Sequence, residues 1–170
     1  MPLSGGINYI LMPFGTSHLL DLPMLPNPPE TLSFSDIRLR FIRTGPGEVA
    51  CGFVPFYHFH ILNLEDVTVG HINFRVGDTD HVLLCAGHIG YEVLEPFRGH
   101  GFAGQACRAL APLVRSVYAS VIITTDPDNA ASLRTIQKLG AEYLDEVPVA
   151  PHEPAYLRGS RRKKRFRWHP

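Results

Sequence analysis

The sequence has few cysteines, and none of them forms a Cys-x-x-Cys pair. Cys51, Cys85 and Cys107 are widely spaced in apolar surroundings, which argues against a disulfide framework or a zinc knuckle and predicts buried, reduced thiols. No run of about 18 apolar residues occurs, and the N-terminus lacks the basic and then apolar segments of a secretory signal. A Gly-x-x-x-x-Gly-Lys-Ser/Thr motif is also lacking, so ATP hydrolysis is not expected. These features predict a cytoplasmic protein without a membrane segment.

The 170 residues, 45% of them hydrophobic, are enough for one domain with a substantial core. The net charge of zero conceals an asymmetry, because seven of the 16 basic residues lie in the last thirteen positions. Such a tail can bind nucleic acid or an acidic protein. The alternation Arg165-Phe166-Arg167-Trp168 instead favours a terminal strand with a solvated basic face, so we do not expect nucleic-acid binding.

The order of the elements predicts an α+β domain. Residues 1–34 are rich in proline and glycine and are expected to pack on the surface as an irregular segment, which leaves residues 35–170 as the domain. We expect a single mixed, mostly antiparallel sheet of six to seven strands with a few helices. Strands are predicted at 37–42, 56–63, 67–76, 87–94 and 121–125 and in a last pair, and helices after Gly101 and at 129–139.

The stretch from Arg98 to Ala103 is the strongest functional signal. It joins an apolar, strand-like run to an amphipathic helix, and its glycines let backbone amides approach an anion closely. The helix adds its free N–H groups and the positive end of its dipole, and Arg98 adds a fixed charge. This layout predicts a phosphate site. Pro112 interrupts the helical pattern, and we expect a kink or break there.

The same stretch permits a dinucleotide-binding interpretation. Gly99-x-Gly101-x-x-Gly104 matches that fingerprint, and Asp126 ends the next apolar run, where an acid that binds ribose is expected. In a Rossmann unit, however, the glycines follow their strand immediately. Here four residues intervene, and the preceding segments have the pattern of hairpin strands, so this interpretation is the weaker one.

Two segments together resemble a known family. Residues 90–103 resemble the strand and pyrophosphate loop of the GNAT acyltransferase superfamily, whose signature is Arg/Gln-x-x-Gly-x-Gly/Ala. Arg98, Gly101 and Ala103 fill its specified positions. Residues 128–141 resemble the family's Asn-led helix, which ends in Leu-Gly before the next strand. The resemblance extends from about Val67 to Val147.

The resemblance implies an enzyme that transfers an acetyl group from acetyl-CoA to a primary amine by direct attack on the thioester. The acceptor would be a small molecule or a protein N-terminus. The family allows a homodimer, and its pattern implies an oxyanion site at a backbone N–H around Val93. The cofactor-binding residues that the resemblance implies are Tyr91, Val93, Leu94, Arg98, Gly99, His100, Gly101, Phe102, Ala103, Asn129 and Ser132.

Removal of a proton from the acceptor amine needs a base, for which Glu92 and His88 are the candidates. The alternatives are a surface carboxylate and a structural histidine. The family often has a tyrosine four residues before the helix-terminal glycine, to protonate the leaving thiolate, but Ile136 stands here. Another tyrosine could substitute, the thiolate could leave unassisted, or the chain could be a silent acyl-CoA-binding module with a basic C-terminal docking strand. The substitutes considered are Tyr91, Tyr143 and Tyr156.

The nine histidines raise the question of a metal site. His58 and His60 would share one face of a strand, a spacing that metals can use. The sequence offers no clear third ligand, so we predict no functional metal.

Overall fold

The structure is a computed structural model that describes residues 25–170. Its strands form two antiparallel sheets, one of five strands in the order β1-β2-β3-β4-β5 and one of three in the order β6-β8-β7. The strands are β1 (Leu32–Phe34), β2 (Ile37–Gly45), β3 (Phe56–Asn63), β4 (Thr68–Arg75), β5 (Ile89–Val93), β6 (Val121–Thr125), β7 (Glu142–Pro148) and β8 (Arg162–Trp168). The helices are α1 (Phe102–Arg115), α2 (Ala130–Lys138) and the short α3 (Pro154–Leu157).

The larger sheet buries one face against α1. Alternate residues of β3 and β4, among them Phe59, Ile61 and Ile72, are fully or almost fully buried, as expected for strands whose side chains alternate between two faces. They form one core cluster with Ala106 and Leu110 of α1. The opposite face of these strands carries mainly polar side chains, so the pattern of period two fixes which side of the sheet faces the helix.

The basic tail is the central strand of the smaller sheet. β8 pairs with β6 on one side and β7 on the other, and its cations are matched by acidic side chains of its neighbours. Arg165 forms a bidentate pair with Asp145, with N···O distances of 2.7 and 2.6 Å, and Lys163 Nζ lies 2.7 Å from Asp126 Oδ1. The terminal strand predicted from the alternation is confirmed, and its charge is largely neutralised within the fold.

Local sequence signals determine the two main helices. In α1 the predicted break at Pro112 is wrong, because the helix continues to Arg115. Pro112 lies within the last turn of the helix, where only a few residues follow the ring. In α2 the side chain of Asn129 caps the first turn by accepting the Ser132 N–H, and Gly140 takes a positive φ of 76° just beyond the end.

The predicted α+β class is confirmed, with three differences in detail. The strands divide into two sheets rather than one, because β5 and β6 separate. Leu32–Phe34, expected within the irregular segment, form β1. One turn of π-helix, His81–Ala86, fills the connection to β5 where only a turn was expected. Residues 1–24 lie outside the described residues, and the part that is described packs on the domain, since Tyr57 donates a hydrogen bond to the carbonyl of Pro26 (2.8 Å).

The cysteines are free. Cys85 and Cys107 are buried as expected, but Cys51 is exposed, so the prediction of a buried thiol is wrong at that position. Within residues 25–170, none of the helices has the length and apolar character that crossing a membrane requires.

Two glycines test the packing of this fold. A Cβ at Gly70 of β4 would lie 2.1 Å from the carbonyl oxygen of Glu92 on β5, whereas one at Gly104 of α1 would lie 3.9 Å from the Thr135 methyl group. We predict that Gly70→Ala lowers the free energy of unfolding by about 1–3 kcal/mol because backbone must move. Gly104→Ala should raise it by up to about 1 kcal/mol, since alanine favours a helix interior. Chemical denaturation of both variants measures this, and an unchanged Gly70→Ala protein would contradict the close approach of β4 and β5.

Candidate functional site

The site is the gap between the edges of the two sheets. His88, just before β5, donates its backbone N–H to the carbonyl of Ile122 on β6 (2.7 Å), and Gly87 packs so closely on β6 that a Cβ there would lie 3.0 Å from the Thr124 nitrogen. Beyond this contact the two strands belong to different sheets. A gap with exposed backbone therefore opens along β5.

The backbone groups of β5 alternate between the two sides of the strand. At one end of the β4–β5 ladder Arg75 donates to the His88 carbonyl, and at the other Leu94 donates to the Val69 carbonyl. Since antiparallel bonding alternates residue by residue, the N–H groups of Tyr91 and Val93 point away from β4 and into the gap. These two amides are available to a ligand that lies between the sheets.

The glycine loop forms one wall of the first cavity. Gly99 and Gly101 have φ values of 85° and 76°, which glycine adopts without strain, and Gly101 caps α1. Gln105 is the first residue of the helix to donate a hydrogen bond back, to Gly101, so the N–H groups of residues 102–104 lack helical partners. The first turn contains no acidic residue, and an anion could approach it without repulsion from that turn.

This first cavity, the glycine-loop cavity, has a volume of about 470 Å³. The predicted cofactor residues line it, with the exception of Leu94 and His100. Leu94 is used in the ladder to Val69, and the His100 ring lies 3.2 Å from the Phe97 carbonyl oxygen and stacks on Phe102. Two cations of α2, Arg134 and Lys138, also line it. Sequence reasoning missed them, although their i, i+4 spacing placed them on one face of the helix.

A second cavity of about 680 Å³ opens on the other side of the gap. We call it the arginine cavity, because Arg43, Arg75 and Arg158 line it. The two cavities share Tyr91, Asn129 and Ser132, so they meet at these residues. The remaining walls come from the β2–β3 connection, the π-helical turn, the ends of β6 and α3.

The shared residues are held by hydrogen bonds. The Tyr91 hydroxyl lies 2.9 Å from Ser132 Oγ, and the Asn129 carbonyl oxygen accepts the Ser132 N–H (3.1 Å), which leaves the Asn129 amide N–H groups for a ligand. Burial raises the pKa of Tyr91 to about 12, with a smaller contribution from Cys107. Its phenol therefore stays protonated at neutral pH. Ile136, where the family often has a tyrosine, is fully buried.

His88 has a structural environment. Its side chain is 3% exposed and lines neither cavity. Nδ1 accepts the backbone N–H of Ile122 (3.0 Å), so Nε2 carries the proton and donates it to Asp78 Oδ1 (3.0 Å). With both ring nitrogens engaged, the alternative of a structural histidine is favoured over a base.

Glu92, the other candidate base, lies on the open face of the larger sheet. Its side chain is 57% exposed and its Oε2 is 4.0 Å from His71 Nε2. It lines the glycine-loop cavity and does not line the arginine cavity. A base at Glu92 would therefore act from the side of the gap that the glycine loop faces.

The arginine cavity contains a histidine–carboxylate pair that the sequence did not reveal. His81 Nδ1 lies 2.7 Å from Oε2 of the buried Glu153, and its ring packs on Phe53 with centroids 4.7 Å apart. In the neutral histidine Nδ1 donates this bond, so Nε2 keeps a free lone pair. The two residues are 72 positions apart, and no local pattern links them.

Other titratable groups of the arginine cavity are less suited to proton transfer. Burial raises the pKa of Asp126, but the hydrogen bonds from Lys163 and Ser160 outweigh it and hold the pKa below its usual value. Burial, together with nearby Glu153, raises the pKa of the Cys85 thiol to about 11. The thiol is therefore protonated at neutral pH and is a poor nucleophile.

The histidine pair lies outside both cavities. His58 Nδ1 contacts Asn73 Oδ1 (2.6 Å), and the rings of His58 and His60 are 5.6 Å apart. Within the described part of the chain, no group of three or more His, Cys, Asp or Glu side chains is arranged to hold a metal ion.

Comparison with known proteins identifies related sequences and folds. The model of the acetyltransferase (GNAT) domain family matches residues 27–142. No curated protein matches the chain in sequence. Among solved structures, the ribosomal L7/L12 alpha-N-protein acetyltransferase RimL, in its apo crystal form I, is 20% identical with a TM-score of 0.53, over 68% of this chain and 61% of that chain.

Two further structures match to a similar degree. The microcin C7 self immunity acetyltransferase MccE, in complex with acetyl-CoA and AMP, is 20% identical with a TM-score of 0.53, over 68% of this chain and 61% of that chain. An acetyltransferase from Salmonella typhimurium that modifies the N-terminal serine of ribosomal protein L7/L12 is 18% identical with a TM-score of 0.53, over 68% and 64%. The alignments span 60–68% of the length of the solved structures, and at this level of identity they carry the fold alone.

The structural role of His88 can be tested by stability. We predict that His88→Ala lowers the free energy of unfolding by about 1–3 kcal/mol, because it leaves the Ile122 N–H buried without a partner. Asp78→Asn, at the exposed end of the same hydrogen bond, should change it by less than about 0.5 kcal/mol. Denaturant unfolding of the two variants gives both numbers, and equal stability of His88→Ala and the parent protein would contradict the link between the sheets.

Proposed function

The chain belongs to the GNAT acetyltransferase family, and on that premise we propose that it transfers the acetyl group of acetyl-CoA to a primary amine. The observation that carries this proposal is the meeting of two cavities at Tyr91, Asn129 and Ser132. A donor bound in the glycine-loop cavity and an acceptor bound in the arginine cavity would come together at that point. The acceptor is a small molecule or a protein N-terminus.

The glycine-loop cavity suits the phosphates of coenzyme A. Three unpaired N–H groups at the start of α1, the positive end of its dipole and Arg98 face the same space. Arg98 is held by a bond from its Nε to the Val93 carbonyl oxygen (3.0 Å), which leaves its other N–H groups free to bind phosphate. Arg134 and Lys138 extend the positive charge along α2, so the cofactor's phosphates would meet cations on two sides.

The junction of the cavities has the groups that acyl transfer needs. When bound, acetyl-CoA supplies an activated thioester. The N–H groups of Tyr91 and Val93 point into the gap and would stabilise negative charge on an oxygen there, as a preorganised pair of donors does. The Asn129 amide and the protonated Tyr91 phenol lie at the same junction. Tyr91 lines both cavities, which Tyr143 and Tyr156 do not, so Tyr91 is the phenol best placed to donate a hydrogen bond to the leaving sulfur.

We assign removal of the acceptor's proton to His81. It lines the arginine cavity, where the amine would enter, and Glu153 holds its Nδ1 so that Nε2 is the accepting atom. A proton can reach it directly or through one water. Cys85, with its raised pKa, gives no support for a covalent acyl-cysteine step, which leaves direct attack by the amine as the simpler route.

Ligand-dependent thermal stability tests the donor site. Acetyl-CoA and coenzyme A should raise the melting temperature and NAD should not, because a ligand at 100 times its Kd adds about 2.7 kcal/mol to the stability of the native state. Arg98→Glu should weaken coenzyme A at least about tenfold by placing a carboxylate among phosphates. Arg115→Glu, the same charge change at an exposed position outside both cavities, should leave the Kd unchanged.

The outcomes of that experiment are distinct. Stabilisation by NAD and not by coenzyme A would replace this proposal with the dinucleotide interpretation. Binding of acetyl-CoA without release of free thiol, with any amine supplied, would indicate a silent binding module instead of an enzyme.

Kinetics test the base. We predict that His81→Asn lowers kcat about 100-fold without changing the KM for acetyl-CoA, since a positioned base typically contributes that much or more. Glu153→Gln should give a smaller loss, because the histidine remains but is less firmly oriented. His60→Asn, a histidine outside both cavities, serves as the matched control. Glu92→Gln is measured alongside, and a large loss there with normal kcat in His81→Asn would assign the base to Glu92.

A further inference from the structure

Arg75 occupies the part of the arginine cavity closest to the reacting centre. It ends β4, and its guanidinium lies against Gly90, where a Cβ would be 3.0 Å from Nη1 and 3.3 Å from Nη2. Gly90 adjoins Tyr91, whose N–H points into the gap. The glycine thus leaves room for a cation beside the backbone that would face the thioester.

This arginine lacks an acidic partner among residues 25–170. Its Nη1 donates to the carbonyl oxygens of Ala86 and Gly87, at 3.3 and 3.2 Å, and its Nε and Nη2 have no hydrogen-bond partner within the described residues. Burial lowers its pKa, against a smaller opposing effect of the Cys85 thiol. A half-buried cation without a carboxylate is costly, and an anion supplied by a ligand would offset that cost.

The surroundings of Arg75 also favour an anion. Arg43 and Arg158 line the same cavity and are exposed, so their charges face solvent and any approaching ligand. Of the two acidic side chains that line it, Asp126 is already bonded to Lys163, and Glu48 is exposed. The potential of the cavity is therefore positive, although the acceptor of an N-acetyltransferase approaches as an ammonium ion.

We propose that the acceptor is an amine that carries a carboxylate a few bonds from its nitrogen, and that Arg75 binds this carboxylate through Nε and Nη2. This inference rests on the proposed function and names its substrate class. A carboxylate on Arg75 would place the nearby amine toward Tyr91 and the thioester. The positive charge also disfavours the ammonium form of that amine, which assists its loss of a proton to His81.

Acceptor pairs that differ only in charge test the proposal. Thiol release from acetyl-CoA is measured with free α-amino acids and with the matching α-amides. The same assay is run with short peptides that begin with Asp or Glu and with Asn or Gln. We expect kcat/KM to favour the carboxylate of each productive pair by about 10- to 100-fold, the range for a hydrogen-bonded charge. The free amino acids and the peptides distinguish a small-molecule acceptor from an acidic N-terminus.

Two variants connect the preference to Arg75. Arg75→Gln should reduce the carboxylate preference to about twofold or less. Gly90→Ala keeps the charge but crowds the guanidinium, so it should lower the preference without abolishing transfer. Arg43→Gln, which removes a cation that lies over the Phe56 ring (5.2 Å) at the exposed side of the cavity, should keep most of it.

Stabilisation by acetyl-CoA is measured in every variant, which separates the proposals. Equal rates with acids and amides in the parent protein, or an undiminished preference in a folded Arg75→Gln, would overturn the carboxylate site and leave the acetyltransferase proposal standing. Acetyl-CoA binding with no transfer to any of these acceptors would also overturn it. Failure to bind acetyl-CoA would overturn the proposed function itself.

Discussion

His88 and Ile122 hold the edges of two antiparallel sheets together at one point, and past this point the strands separate. The backbone N–H of His88 and its ring both bond to Ile122, while the close packing of Gly87 on β6 keeps a side chain out of the contact. A sheet that continued from β5 to β6 would satisfy the backbone of β5 and leave no room for a ligand. Because pairing ends at His88, the amides of Tyr91 and Val93 remain available and two cavities form on either side of them.

The distribution of charge follows from the same geometry. The basic residues of β8 are matched by acidic side chains on the neighbouring strands and loops, most firmly at the Arg165–Asp145 pair, whose hydrogen bonds lower the pKa of Asp145 and raise that of Arg165. The cations that face the gap are not matched in this way. Arg98 and α2 supply them on one side and Arg75 on the other, so both entrances favour anionic groups. The donor's phosphates and the acceptor's proposed carboxylate use the same electrostatic preference from opposite directions.

Features with a local cause were predictable from the sequence. The glycine loop between a strand and a helix, the Asn129 cap and Gly140 depend on residues a few positions apart, and the structure has all of them. Predictions failed where burial or a distant partner decides. Pro112 was expected to break α1, yet the helix continues past it to its end. Cys51 has an apolar local sequence but is exposed. Glu92 and His88 were grouped by strand period, although the fold gives one of them an open face and the other a buried link between sheets.

The sequence by itself determined the family, the α+β class and the anion-binding loop, because these depend on short motifs and on the periodicity of apolar residues, which act over one or two turns of chain. The tertiary structure alone decided which side chains meet. The π-helical turn brings His81 to Glu153 across 72 positions, and the β4–β5 register brings Arg75 against Gly90. Both contacts depend on how the two sheets and α3 pack around the gap, and no local pattern in the chain encodes a distance between segments that are far apart in sequence.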